Sequence, residues 1–111
     1  MHLFGRPKIP EIGVDELERL MAADGVTVVD VREVHEWRQA HVAGVLNIPL
    51  GRLPLEFSKL PLDRRTLVIC EHGNRSLVGA EFLMRRGFDG VASVRGGTTA
   101  WIASRRPVER A

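Results

Sequence analysis

The sequence predicts an α/β domain, an open parallel sheet with helices on both faces. Three observations carry this. Val26-Thr27-Val28-Val29 and Thr66-Leu67-Val68-Ile69 are short β-branched runs without polar alternation, the pattern of strands covered on both sides. Segments with apolar residues at helical spacing lie between such runs. Glycine, proline or asparagine punctuates the junctions. Strands alternating with helices imply parallel pairing through crossover connections.

Residues 1–10 read as an extended lead-in interrupted by Pro7 and Pro10. Asp15 to Met21 has helical apolar spacing with acids in its first turn, and Asp24-Gly25 stops it. Val26 to Val31 is the first clear strand, and Glu33 to Ala40 a short helix. Val45 to Ile48 is a brief extended segment ended by Pro49, and Gly51 to Leu60 is loosely helical around Pro54. A second buried strand runs from Thr66 to Cys70. Ser76 to Arg86 follows as an amphipathic helix with Gly87 as its stop. Val91 to Val94 is a last strand, Gly96-Gly97 turns the chain, and Thr98 or Thr99 is expected to cap a final helix through Trp101. One folded unit over residues 11–106 is expected, with 107–111 as a C-terminal tail.

Composition narrows the function. A chain of 111 residues with 44% hydrophobic and 27% charged residues is an ordinary globular domain, able to bury a core without staples. The net charge is only +2, and its 14 arginines and 2 lysines are spread along the chain, so a nucleic-acid footprint is not expected. A mildly positive surface still suits small anions. The single cysteine excludes an intrachain disulfide and any multi-cysteine metal site; no metal and no cofactor are expected. No segment has the apolar length of a signal peptide or a membrane span, so no membrane partner is expected. With a free thiol, this makes the reducing cytoplasm the expected location.

The chemistry concentrates in Cys70-Glu71-His72-Gly73-Asn74-Arg75-Ser76. Cys70 falls at the carboxyl end of a buried strand, where open α/β sheets place their ligands. Gly73 and Asn74 tolerate left-handed backbone, so the loop can curl its N–H groups around one point. The following helix aims its positive end at that point. Backbone donors, the helix terminus and the Arg75 charge all favour a thiolate and would equally hold an oxyanion. A cysteine ending an apolar strand is otherwise an ordinary small core residue; here the polar, cation-bearing loop favours a nucleophile. His72 is either a substrate contact or an exposed loop histidine. Glu71 opposes a thiolate if it points inward, so it is expected to face solvent.

These residues resemble the rhodanese family, especially its single-domain thiosulfate sulfurtransferases. Val29-Asp30-Val31-Arg32, Glu36 and His41-Val42-Ala43-Gly44-Val45-Leu46-Asn47-Ile48-Pro49 are similar to the family's first signature. Cys70 to Ser76 is similar to its active-site loop, and Gly87-Phe88 with Val94-Arg95-Gly96-Gly97 and Trp101 to its closing elements. The four occur in order between about Ile12 and Trp101. The resemblance implies a central parallel sheet of about five strands. It makes Cys70 the persulfide-forming nucleophile, and the backbone of Glu71, His72, Gly73, Asn74, Arg75 and Ser76 the cradle for sulfur and substrate. Arg75 would hold an anionic substrate and Ser76 would donate a hydrogen bond to the persulfide. Asp30 and Arg32 are similar to the family's buried pair behind the loop. His41, Asn47, Trp101, Gly96 and Gly97 are expected to be structural support.

The implied reaction moves sulfur from thiosulfate or a similar anionic donor to cyanide, a thiol or a sulfur-carrier protein. With no second cysteine, release requires an external acceptor. Two other readings stand beside it. A persulfide relay or protein-interaction module would turn thiosulfate over poorly. A cysteine phosphatase has five residues between cysteine and arginine, whereas four separate Cys70 from Arg75, and Ile69 stands where such enzymes commonly carry histidine.

Overall fold

A computed structural model describes residues 8–111. The expected lead-in therefore lies largely outside the described residues. In chain order the elements are β1 (Glu11–Ile12), α1 (Val14–Ala22), β2 (Val26–Asp30), α2 (Val34–Gln39), β3 (His41–Val42), β4 (Leu46–Asn47), α3 (Leu53–Glu56), β5 (Arg65–Ile69), α4 (Arg75–Arg85), β6 (Ala92–Val94), α5 (Gly97–Ala103) and β7 (Val108–Glu109). Single 3₁₀ turns flank α3, so the loosely helical 51–60 stretch is three short pieces and not one helix. Pro54 sits in the first turn of α3, where its missing N–H costs nothing.

The main sheet has five strands in the order β1-β6-β5-β2-β4, every pair parallel. β5 is central. It pairs with β2 from Val26↔Arg65 to Asp30↔Ile69 and with β6 at Leu67↔Ala92 and Val68↔Ser93. Covered on both faces and both edges, it carries the longest apolar run, as expected of a buried parallel strand.

Strand alternation splits the core in two. On one side Val29, Val68 and Cys70 pack with Leu53, Ala80, Leu83 and Phe88, under α3 and α4. On the other, Val28, Leu67, Ile69 and Val94 pack with Leu17 and Trp101, under α1 and α5. Leu17, Leu67 and Leu83 are fully buried, each contributing roughly 1.5–3 kcal/mol relative to exposure. Gly87, at φ +92, ends α4 as expected: its N–H bonds Met84 O at 3.1 Å and that of Phe88 bonds Leu83 O at 3.1 Å.

Three features depart from the sequence reading. Glu11–Ile12 is a strand, aligned with Ser93 and Val94 on the outer edge of β6. The stretch read as a C-terminal tail pairs antiparallel with β3, through His41↔Glu109 and Val42↔Val108. The cap of α5 is Gly96, at φ +78, and neither Thr98 nor Thr99 caps the helix; their hydroxyls turn to the loop after β5. Among the described residues no helix is long and apolar enough to cross a membrane.

Candidate active site

β5 ends at Ile69 and α4 begins at Arg75, so Cys70 opens a five-residue loop between the centre of the sheet and a helix N-terminus. Its side chain follows Val68 onto the α4 side of the sheet. The sulfur accepts the N–H of Gly73 at 3.1 Å and that of Ser76 at 3.2 Å. Ser76 lies in the first turn of α4, so its amide is one of the donors a helix start leaves free. The Ser76 hydroxyl is 3.3 Å from the sulfur and 2.7 Å from the Ser93 hydroxyl. Cys70 is 1% exposed, and Ser76 and Ser93 are fully buried. The sulfur therefore lies on the floor of the loop and not on the open surface that an accessible thiol would suggest.

The loop is clamped from behind by the β6–α5 turn. Gly73 has φ +107, and a Cβ there would stand 3.2 Å from the Gly96 nitrogen. Gly97 has φ +58, and a Cβ there would stand 2.4 Å from Cys70 O and 2.6 Å from Glu71 O. Glycine is thus required at 97 by both backbone angle and space. The same approach lets Thr98 N–H and its hydroxyl donate to Cys70 O, at 2.8 and 3.1 Å, and Thr99 N–H to Glu71 O at 3.0 Å. The first turn of α5 holds the carbonyls of 70 and 71, leaving the loop amides free to converge.

Beneath the loop, Asp30 and Arg32 are buried together. Arg32 Nε donates to both Asp30 oxygens at 3.1 Å, and Nη2 to one of them at 2.9 Å. Nη1 reaches Glu71 at 3.0 Å and Nη2 the Ala40 carbonyl at 2.7 Å. Burial works against the Arg32 charge, but Asp30 and then Glu71 outweigh it and hold the guanidinium above its ordinary value. Glu71, expected to face solvent, is partly exposed but bound sideways by Arg32 and the Thr99 hydroxyl. Its carboxylate is thereby committed to these two partners.

Arg75, expected to hold an anionic substrate, has its guanidinium paired with a carboxylate. It donates to both oxygens of Glu36, at 2.8 and 3.0 Å. The Arg75 bond pulls the Glu36 carboxyl down to about 2, and that carboxylate in turn raises the guanidinium. His72 and Asn74 are exposed on the outer side of the loop. His41 Nδ1 donates to Trp37 O at 2.7 Å with its ring stacked on Trp37, and Asn47 donates to the carbonyls of Asp30 and Arg32 at 3.0 Å each. Trp101 Nε1 donates to Pro107 O at 2.8 Å. These are framework bonds to backbone.

Sequence reasoning missed Ser93, Thr98 and the Glu36 partnership. A lone serine inside an apolar strand is the one signal that pointed to Ser93, because buried hydroxyls need partners. A cavity of about 270 Å³ opens beside the loop, lined by Arg32, Glu36, Gln39, Glu71, Thr98 and Ile102. A larger one, about 350 Å³, lies near Asp24, Val26 and Arg64 at the amino end of β2, opposite to where such sheets bind ligands. No three His, Cys, Asp or Glu side chains among the described residues are grouped to hold a metal ion.

Known proteins are similar to this chain in sequence and in fold. A "Sulfurtransferase" of Allochromatium vinosum is 32% identical over 101 residues, 90% of this chain and 94% of that protein. A thiosulfate sulfurtransferase GlpE of Shewanella oneidensis is 32% identical over 90 residues, 81% of this chain and 89% of its own. The crystal structure of a rhodanese-related protein from Thermoplasma volcanium superposes with a TM-score of 0.83 at 35% identity, covering 90% of this chain and 97% of that one. The family model for the rhodanese-like domain matches residues 13–104. With the family model matching most of the chain and relatives of 32% identity covered nearly end to end, the chain belongs to the rhodanese family of sulfurtransferases.

Proposed function

We propose that the protein is a thiosulfate sulfurtransferase that carries sulfur as a persulfide on Cys70. The observation that supports this most is the sulfur of Cys70 accepting the Gly73 and Ser76 amides at a strand-to-helix junction. Donors fixed in a buried site stabilise negative charge without reorganising, and they serve thiolate and persulfide alike. In the first step the Cys70 thiolate attacks the outer sulfur of thiosulfate. A sulfur–sulfur bond forms to Cys70, the sulfur–sulfur bond within thiosulfate breaks, and sulfite leaves with its electron pair. A nucleophilic acceptor (cyanide, a thiol or a sulfur-carrier protein) then takes the terminal sulfur and returns the thiolate. Splitting the transfer in two predicts ping-pong kinetics.

The burial of Cys70 suits a donor that presents a single sulfur atom to the loop. A phosphate ester would need the arginine after the loop, and Arg75 is committed to Glu36. The test is mass spectrometry after thiosulfate treatment. One added sulfur on Cys70 is expected, absent in Cys70→Ser. No added sulfur, or turnover that survives Cys70→Ser, removes the proposal.

A further inference from the structure

We infer that Ser93 is a positioning residue: acting through Ser76, it holds the sulfur of Cys70 in its anionic form. The inference rests on Cys70 being the nucleophile, and its substance is the direction of two hydrogens. The Ser93 and Ser76 hydroxyls and the Cys70 sulfur form a chain with steps of 2.7 and 3.3 Å, closed off from solvent at every member. Each serine has one hydroxyl hydrogen to donate.

With sulfur ionised, Ser76 donates to sulfur and Ser93 donates to Ser76. Both hydrogens are used, and the sulfur collects a third donor besides the Gly73 and Ser76 amides. With sulfur protonated, the thiol donates to Ser76, and Ser76 turns its hydrogen to Ser93. The Ser93 hydrogen then has nowhere to go, since among the described residues Ser76 is the one hydrogen-bond partner of that hydroxyl. An unsatisfied buried donor is costly, so the chain favours the anion.

Ser93 is placed for this by the sheet. It is aligned with Val68 on β5 and faces the α4 side, where Ser76 comes down from the first helical turn. Its own N–H is engaged elsewhere, by Pro10 O at 2.9 Å.

Because the chain has a single cysteine, alkylation by iodoacetamide reports on Cys70 alone. The rate is followed against pH for the wild type, Ser93→Ala, Ser76→Ala and the double variant, with thermal melting of each. Ser93→Ala should move the profile to higher pH and slow alkylation on its acid side by about threefold to tenfold, the range of one net hydrogen bond. In the Ser76→Ala background, Ser93→Ala should move it no further, because the hydroxyl it acts through is gone. A Ser93→Ala profile that overlays the wild type overturns the inference, as do additive shifts in the double variant or a wild-type thiol unreactive at every pH. Alkylation needs no sulfur transfer, so a shifted profile without sulfur uptake from thiosulfate would sink the proposed reaction and leave the hydroxyl chain standing.

Discussion

Arg75 and Glu36 face each other fork to fork, with two N–H···O bonds of 2.8 and 3.0 Å joining the first residue of α4 to the middle of α2. A third bond, from the Glu33 N–H at 2.9 Å, fixes the same carboxylate in the capping box of α2. The pair ties the loop's exit to a helix 39 residues earlier.

Acid should loosen this tie in a defined window. The Glu36 carboxyl falls from an ordinary 4.5 to about 2 in the fold, chiefly through the Arg75 bond. A depressed value means the pair stabilises the fold above pH 4.5 and loses that contribution as pH falls toward 2. Wild type and Glu36→Gln should therefore differ in urea midpoint at neutral pH and converge in acid. Arg75 is 38% exposed, so screening holds the neutral-pH gap to about 1 kcal/mol. A gap that is constant from pH 7 to pH 2 would contradict the assignment.

The buried pair behind the loop should behave differently. Asp30 is fully buried and Arg32 is 3% exposed, so removing one carboxylate leaves a charge with little water to take it. Asp30→Ala should cost about 3–5 kcal/mol in urea unfolding. Asp30→Asn, which keeps one acceptor oxygen, should cost less. Because Arg32 also holds Glu71 at 3.0 Å, Asp30→Ala should slow Cys70 alkylation as the loop loses its anchor. Stability within about 0.5 kcal/mol of wild type, the usual surface range, would show the pair to be dispensable.

The candidate loop was legible because its cause is local. An apolar strand, a glycine and asparagine, then an amphipathic helix place Cys70 at a strand end whatever surrounds it. What supports the loop was hidden for a physical reason: its hydrogen bonds join residues far apart in sequence. Ser93 meets Ser76 across 17 positions and Thr98 meets Cys70 across 28. Local patterning gives a threonine after a glycine turn a capping role, and tertiary approach of the β5 loop overrode it. β1 and β7 escaped for a related reason. Each is two residues long, shorter than any alternation pattern, and each exists only because β6 or β3 offers an edge.

Gly97 offers the sharpest test of the clamp, because a single carbon is enough. A Cβ at 97 would sit 2.4 Å from Cys70 O and 2.6 Å from Glu71 O, both backbone atoms held by Thr98 and Thr99. Nothing there is a flexible side-chain end that can swing aside. The φ of +58 adds strain for any L side chain. Gly97→Ala should therefore push the 70–71 peptide away from α5, turn the Gly73 and Ser76 amides off the sulfur, and cost about 2–4 kcal/mol. Cys70 alkylation near neutral pH should slow by at least about tenfold, since the sulfur loses its amide donors. Gly87→Ala is the control: its φ of +92 carries the same kind of backbone strain, but among the described residues nothing outside its own helix and chain neighbours lies within 4 Å of its Cβ position. It should lower the melting temperature and leave the alkylation profile in place. If both variants move the profile equally, backbone strain alone accounts for the requirement at 97, and the close approach to Cys70 is not what shapes the loop.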